Sequence, residues 1–157
     1  MELLTNAFDL WVFTRSGKEP TYLLLRTSQE KADRFFGGGR FWQIPGAFLE
    51  EGDEIQSVLD RPLTELGLEA QAFWAVEHVY PIFNRRFGAL QLIPVFAAEL
   101  ADEAEPRLSW EHSEHGWFTA AECQKRLTFR GLLEGLEWTR RYISGQDDPA
   151  PEFRLLK

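Results

Sequence analysis

Apolar and polar residues follow two different periods along this chain, and the two periods separate strands from helices. Apolar runs at 7–14 and 21–26, rich in aromatic and aliphatic residues, enclose a turn sequence at 16–20 and predict a first β-hairpin. Residues 71–83 and 89–100 are apolar in the same way and predict a second hairpin around a polar turn.

Helical periodicity is clearest between residues 55 and 66, where apolar side chains recur every three or four positions and line one face. Gly67 follows as the expected C-terminal cap. Pro62 lies inside this pattern, and an interior proline costs a helix about 3 kcal/mol. We therefore expect a kink there, or a break at 60–61.

The remaining segments complete the order of elements. A capping-box sequence at 119–122 predicts the start of another helix, and residues 130–143 predict the last one. Residues 41–44 and 116–118 predict short strands, and 27–40 predicts a long loop. This order predicts an α/β fold in which one mixed sheet lies between helices.

Length and charge limit the functional classes. A chain of 157 residues, 44% of them hydrophobic, indicates one globular domain, which we place at 1–143, followed by a loosely ordered tail at 144–157. A net charge of −8 argues against a nucleic acid polymer as partner, but a local basic pocket can still bind a small anion. A single cysteine, with no signal sequence and no membrane-length apolar run, favours a cytoplasmic protein without a membrane partner.

Residues 42–68 carry a motif that links the chain to a known family. They read WQIPGAFLEEGDEIQSVLDRPLTELGL, which resembles a degenerate Nudix box, G-x5-E-x7-R-E-U-x-E-E-x-G-U, where U is apolar. Residues 45–47 stand where Pro-Gly-Gly is usual, and Gly52-Asp53 stands for Gly-Glu. Glu65 and 67–68 match the end of the pattern.

A second stretch, 111–118, follows an extended strand and begins with Glu111-His112. It resembles the corresponding region of the dATP-pyrophosphohydrolase-like and dihydroneopterin-triphosphate-hydrolase-like members. The resemblance covers about residues 7–143 and implies a Nudix α/β/α sandwich. It also implies a small phosphate-bearing ligand, a nucleoside polyphosphate or related diphosphate compound, and Mg²⁺ or Mn²⁺ as cofactor if the protein is active. A homodimer is one possible assembly.

The box helix lacks most of the carboxylates that hold Mg²⁺ in this family, and the chain is one residue short between Asp53 and Gly67. If the gap lies late, Arg61 matches the motif arginine and Pro62 replaces the first ligand glutamate. If it lies early, Asp60 replaces the arginine, while Arg61 and Thr64 replace the first two ligands. Either alignment keeps one helical ligand, Glu65, and one carboxylate binds Mg²⁺ poorly.

These observations define the candidate site residues. The resemblance implies Glu65 and Glu111 as catalytic groups. The candidate metal ligands are Glu50, Asp53, Glu65 and Glu111, and the candidate substrate-binding residues are Arg26, Arg40 and Arg61.

Two functions follow from this set of residues. One is a ligand-binding protein with weak or lost hydrolysis and no required cofactor, in which arginine neutralises phosphate directly. The other is an active Mg²⁺-dependent pyrophosphohydrolase with a non-standard ligand set. An interaction domain without a ligand is a third alternative, for which the sequence gives no positive sign.

Overall fold

A computed structural model describes residues 1–155 of the chain, and its centre is one mixed β-sheet. The strands are β1 (Leu3–Leu4), β2 (Ala7–Thr14), β3 (Thr21–Thr27), β4 (Trp42–Gln43), β5 (Gly46–Phe48), β6 (Ala72–Asn84), β7 (Ala89–Leu100) and β8 (His112–Thr119). The helices are α1 (Gln29–Phe35), α2 (Ile55–Val58), α3 (Arg61–Leu66), α4 (Ala120–Arg126) and α5 (Arg130–Thr139), with a π-helix at Arg140–Ser144 and a 3₁₀-helix at Pro151–Phe153.

Two neighbouring strands of the sheet separate at one end, and residues 42–68, which carry the box, begin in the gap between them. Strands β2 and β7 run parallel at its centre, and β6 extends β7 as an antiparallel hairpin. Strands β2 and β3 pair at only two positions, 13–14 with 21–22, and then diverge. The short strands β4 and β5 fill the resulting wedge, since β4 pairs with β3 and β5 pairs with β2. The loop after β5 therefore emerges at the mouth of the wedge.

Both faces of the sheet are covered, because successive side chains of a strand point to opposite faces. Along β2, Leu10 and Val12 face α2 and α3, which contribute Val58 and Leu63 to one buried cluster. The alternate residues of β2 face the other way and join a second cluster with α4 and α5. Helices thus lie on each side of a mixed sheet, and the predicted α/β/α sandwich is confirmed.

The break predicted near Pro62 is confirmed. The box helix is divided into α2 and α3, with Leu59 and Asp60 between them, and Pro62 is the second residue of α3. Proline is tolerated there because the first amide groups of a helix have no intrahelical acceptor. Gly67 ends α3 in the left-handed region at φ 71°, as predicted for the cap.

The loop predicted at 27–40 is wrong in part, because residues 29–35 form α1. The hydroxyl of Ser28 caps this helix by accepting a hydrogen bond from the Lys31 amide at 3.1 Å. Ala32 is the buried residue that the helix contributes. A seven-residue helix with so little apolar surface leaves no periodicity to detect.

One strand boundary near the end of the domain also differs from the prediction. Strand β8 begins at His112 rather than at residue 116, because it pairs with β3 along its whole length. The tail predicted to be loose is attached at residues 151–155, since Phe153 packs against the core and the Leu155 amide donates to the Phe73 carbonyl at 2.8 Å. Residues 156–157 of that tail lie outside the described part, and the domain boundary at 143 stays a prediction. No helix within residues 1–155 is long and apolar enough to cross a membrane.

Candidate functional site

The box loop is held closed by three hydrogen bonds, one of which is also an ion pair. Asp53 accepts the Glu50 amide at 2.9 Å and the Arg61 guanidinium at 3.0 Å, and Arg61 also donates to the Phe48 carbonyl at 3.1 Å. The Glu50 amide bond, followed by the bond from Arg61, lowers the pKa of Asp53 below its usual range. Arg61 is therefore used to close the loop that runs from β5 to α3.

A glycine is required where this loop begins. A Cβ on Gly46 would lie 2.6 Å from the Phe8 carbonyl oxygen, because β5 pairs tightly with β2 at this point. The glycine that follows Pro45 is thus explained by the close approach of two backbones.

The pairing of Asp53 with Arg61 favours one of the two alignments. These residues are eight positions apart, the spacing between the glutamate and the arginine in the E-x7-R part of the pattern. The late gap is the alignment that assigns both residues to those positions. Pro62, which is buried, then stands at the first ligand position of the helix.

The other candidate box carboxylates point into solvent. Glu65 is exposed on α3, and within residues 1–155 its carboxylate has no ion-pair or hydrogen-bond partner. Glu50 is exposed as well, and its backbone amide rather than its side chain takes part in the loop. Among the described residues these two carboxylates have no basic partner, whereas Asp53 is paired with Arg61.

Glu111 is brought to the site by α1, the helix that sequence analysis missed. Its carboxylate lies 2.8 Å from the Lys31 ammonium group, and its carbonyl accepts the Ser28 amide at 2.8 Å. Burial alone would raise the pKa of Glu111, but the hydrogen bond and charge of Lys31, with a smaller contribution from Arg86, lower it. Glu111 is therefore an ionised carboxylate with a cation already bound to it.

Arg26 and Arg40 meet at a single carboxylate. Each has a terminal nitrogen 3.5 Å from the same oxygen of Glu114, on β8. Arg40 also donates to the Thr27 carbonyl at 2.9 Å and to the Ser113 hydroxyl. Two guanidinium groups sharing one carboxylate leave a local excess of positive charge on the edge formed by β3 and β8.

The four candidate metal ligands do not form a site for Mg²⁺. Asp53 is paired with Arg61, Glu111 is paired with Lys31, and no group of three Asp, Glu, His or Cys side chains in the described part of the chain is arranged to hold a metal. Mg²⁺ requires near-octahedral oxygen ligation and loses its water reluctantly. The donor set on these residues does not fit that requirement.

A partly buried carboxyl next to the box was also missed. Asp9 is opposite Gly46 in the register of β2 and β5, and it accepts the Tyr80 hydroxyl. Burial raises the pKa of Asp9 to about 7, although the bond from Tyr80 opposes the shift, and some solvent still reaches the side chain. In the sequence its position between apolar residues of β2 gives no indication of a functional carboxyl. Its hydrogen-bond partner, Tyr80, is 71 residues away and is revealed only by the structure.

The tip of the β6–β7 hairpin lies across the site. The Phe87 ring contacts Phe48 of β5 with centroids 5.9 Å apart, and the Arg86 guanidinium lies 4.6 Å from the centre of the Phe35 ring on α1. The turn therefore joins the box loop to α1. A polar hairpin turn carries no signal of such contacts in the sequence.

Comparison with solved structures gives many matches of the same kind. The Ap4A hydrolase of C. elegans, in a binary complex, has a TM-score of 0.72 and 16% identity, over 91% of this chain and 100% of that one. The Nudix domain of NrtR from Shewanella oneidensis, complexed with ADP-ribose, has a TM-score of 0.69 and 18% identity, over 90% and 89%. The dihydroneopterin triphosphate pyrophosphohydrolase of E. coli has a TM-score of 0.65 and 14% identity, over 91% and 99%.

Sequence comparisons give a different result from the structural ones. No protein-family model matches the chain, and no curated protein matches its sequence. A box that keeps the loop and the cap but lacks most of the helical carboxylates of the pattern is consistent with this result. The similarity therefore lies in the fold, and this chain has the fold of the Nudix hydrolases.

Proposed function

We propose that this protein binds a nucleoside polyphosphate or a related diphosphate compound, and that hydrolysis of the ligand is weak or lost. The observation that carries the proposal is the pairing of the site carboxylates with basic side chains. Asp53 is bound by Arg61, and Glu111 is bound by Lys31, so neither is available as a free metal ligand.

Basic side chains provide the charge that a phosphate chain requires. Arg26 and Arg40 share Glu114, so one of the two positive charges is not balanced by that carboxylate. Guanidinium groups bind phosphate oxygens through parallel N–H donors and stay charged at all relevant pH values. A ligand at this edge can thus be neutralised without a divalent ion.

The structural neighbours support this class of ligand. The NrtR domain is complexed with ADP-ribose, and the E. coli protein is a triphosphate pyrophosphohydrolase. Both names refer to compounds that contain linked phosphates. We extend that chemistry to this chain on the basis of the shared fold together with Arg26 and Arg40 at the edge formed by β3 and β8.

An active hydrolase with a non-standard ligand set is the second candidate. It is favoured by Glu65 and Glu50, which are exposed and free of basic partners within residues 1–155. If such an enzyme uses Mg²⁺ or Mn²⁺, Glu65 is the helical carboxylate that would contribute to holding it. The chemistry supplied by that ion would be relief of negative charge on the phosphates.

Chromatographic product analysis separates the two candidates. The protein is incubated with nucleoside triphosphates, dinucleotides and ADP-ribose, first in Mg²⁺ and then in Mn²⁺. We expect the compounds to remain intact while calorimetry detects binding. Metal-dependent cleavage that disappears in Glu65→Gln would instead establish the second candidate.

Arg61→Ala tests the contribution of the closed loop to binding. Removing Arg61 leaves Asp53 without its cation and frees the loop, so we expect affinity to fall about tenfold, the effect of losing one charged hydrogen bond. Lys125→Ala removes one positive charge from the exposed surface of α4 and serves as the control. Equal affinities for the two variants would rule out a role for Arg61.

A further inference from the structure

The turn of the β6–β7 hairpin holds one guanidinium in a fixed position. Arg86 lies over two aromatic rings, 4.6 Å from the centre of Phe35 and 5.4 Å from the centre of Phe87. Its backbone amide donates to the Asn84 side chain at 2.9 Å, which fixes the turn itself. Two rings and a closed turn restrict the orientation of a side chain that would otherwise move freely at a hairpin tip.

Stacking leaves the hydrogen-bonding capacity of Arg86 unused. A guanidinium contacts aromatic rings through its flat face, whereas its five N–H donors point outward in the plane. Within residues 1–155 the Arg86 side chain donates no hydrogen bond and forms no ion pair. The residue therefore presents donors that are oriented but have no acceptor.

The two cations of α1 are already paired with carboxylates. Lys31 is paired with Glu111 at 2.8 Å, and Arg34 lies 4.0 Å from Glu30 along α1. The charge of Arg86 contributes to lowering the pKa of Glu111, so it lies close to that pair. Arg86 consequently adds a positive charge to this surface, although the whole chain has a net charge of −8.

Arg86 is also connected to the box loop. Phe87 follows it in the turn and contacts the ring of Phe48, and the Phe48 carbonyl accepts a hydrogen bond from Arg61. The free guanidinium and the box arginine are therefore linked through two successive contacts.

We propose that Arg86 binds the terminal phosphate of the ligand and gives the protein a preference for longer phosphate chains. The inference rests on the proposed function, because it concerns the same ligand. It assigns the ligand to the class of nucleoside triphosphates or longer phosphate chains rather than nucleoside monophosphates.

The test is a calorimetric titration with the mono-, di- and triphosphates of adenosine and guanosine, in EDTA. We expect the wild-type affinity to increase with the number of phosphates. Arg86→Ala should weaken triphosphate binding about tenfold, the value for one charged hydrogen bond, and leave monophosphate binding within about twofold. Arg85→Ala, an adjacent exposed arginine for which the described residues provide no partner, is the matched control and should retain the preference.

Arg86→Lys separates phosphate binding from a structural role of the ring contacts. Lysine keeps the charge but not the planar stacking, so it should retain part of the preference for triphosphate. An equal loss for mono- and triphosphate in Arg86→Ala, or equal effects of Arg85→Ala and Arg86→Ala, would overturn the inference and leave the proposed function standing. Absence of binding by the wild-type protein to every nucleotide would overturn both.

Discussion

At the scale of single residues, the box loop keeps the contacts that shape it. Gly46 permits the close approach of β5 to β2, and Asp53 binds Arg61 across the loop. The position that would carry the first metal ligand is occupied by Pro62, which is buried. The box loop therefore keeps its backbone contacts, while a proline stands at the first ligand position of the pattern.

The partly buried carboxyl of Asp9 predicts how the free energy of unfolding depends on pH. Its pKa in the folded protein, about 7, is higher than the ordinary value of 3.8, so the folded state binds the proton more tightly. The stabilisation is present below about pH 4 and is lost as pH rises towards 7. Asp9→Asn cannot ionise, and its amide oxygen can still accept from Tyr80.

We therefore expect wild-type stability to fall relative to Asp9→Asn between pH 5 and pH 8, by about 2 kcal/mol. This is less than the full shift implies, because solvent still reaches the carboxyl. Denaturant unfolding of both proteins at each pH provides the measurement. A constant difference across this range would show that Asp9 titrates normally.

At the scale of the elements, the sequence predicted what local patterns determine. The hairpins follow from apolar runs, and the division of the box helix follows from Pro62. Helix α1 was missed because its seven residues bury little apolar surface. Strand β5 was missed for a related reason, since a three-residue segment forms a strand only because β2 is there to pair with it.

The cap of α3 gives a prediction at this scale. Gly67 has φ 71°, and an added Cβ would lie 3.1 Å from the Arg107 side chain. Gly67→Ala should therefore reduce the free energy of unfolding by about 1 kcal/mol or more. Gly17→Ala is the control, because the nearest atom to its Cβ would be 3.8 Å away and its φ lies outside the left-handed region.

Urea unfolding of these two glycine variants measures the difference. A loss at Gly67 that is no larger than the loss at Gly17 would contradict the role of the left-handed cap. The result bears on the site as well, because Gly67 ends the helix that carries Glu65.

At the scale of the whole molecule, the candidate site is built from segments that are distant in sequence. Lys31 and Glu111 are 80 residues apart, and Arg26 and Glu114 are 88 residues apart. Sequence analysis selected Glu111 and Arg26 but could not identify the partners that neutralise them. Pairing across a sheet depends on strand register, which a single sequence does not specify at these distances.

The same long-range contacts explain the proposed change in chemistry. A fold shared with the Nudix hydrolases positions the box loop at the mouth of the wedge, where β2 and β3 diverge. At that position the carboxylates Asp53 and Glu111 face arginine and lysine. We infer that basic side chains take over the neutralisation of phosphate.

The most direct test of neutralisation by basic side chains is a calorimetric titration of the wild-type protein. The ligands are a nucleoside triphosphate and ADP-ribose, each titrated first in EDTA and then in excess Mg²⁺. Chromatography of the same samples shows whether the ligand is intact. If basic side chains neutralise the phosphates, at least one ligand binds in EDTA. Mg²⁺ then changes the affinity for that ligand by less than about threefold, and the ligand is recovered uncleaved. Binding or cleavage that occurs only in Mg²⁺ would contradict neutralisation by basic side chains.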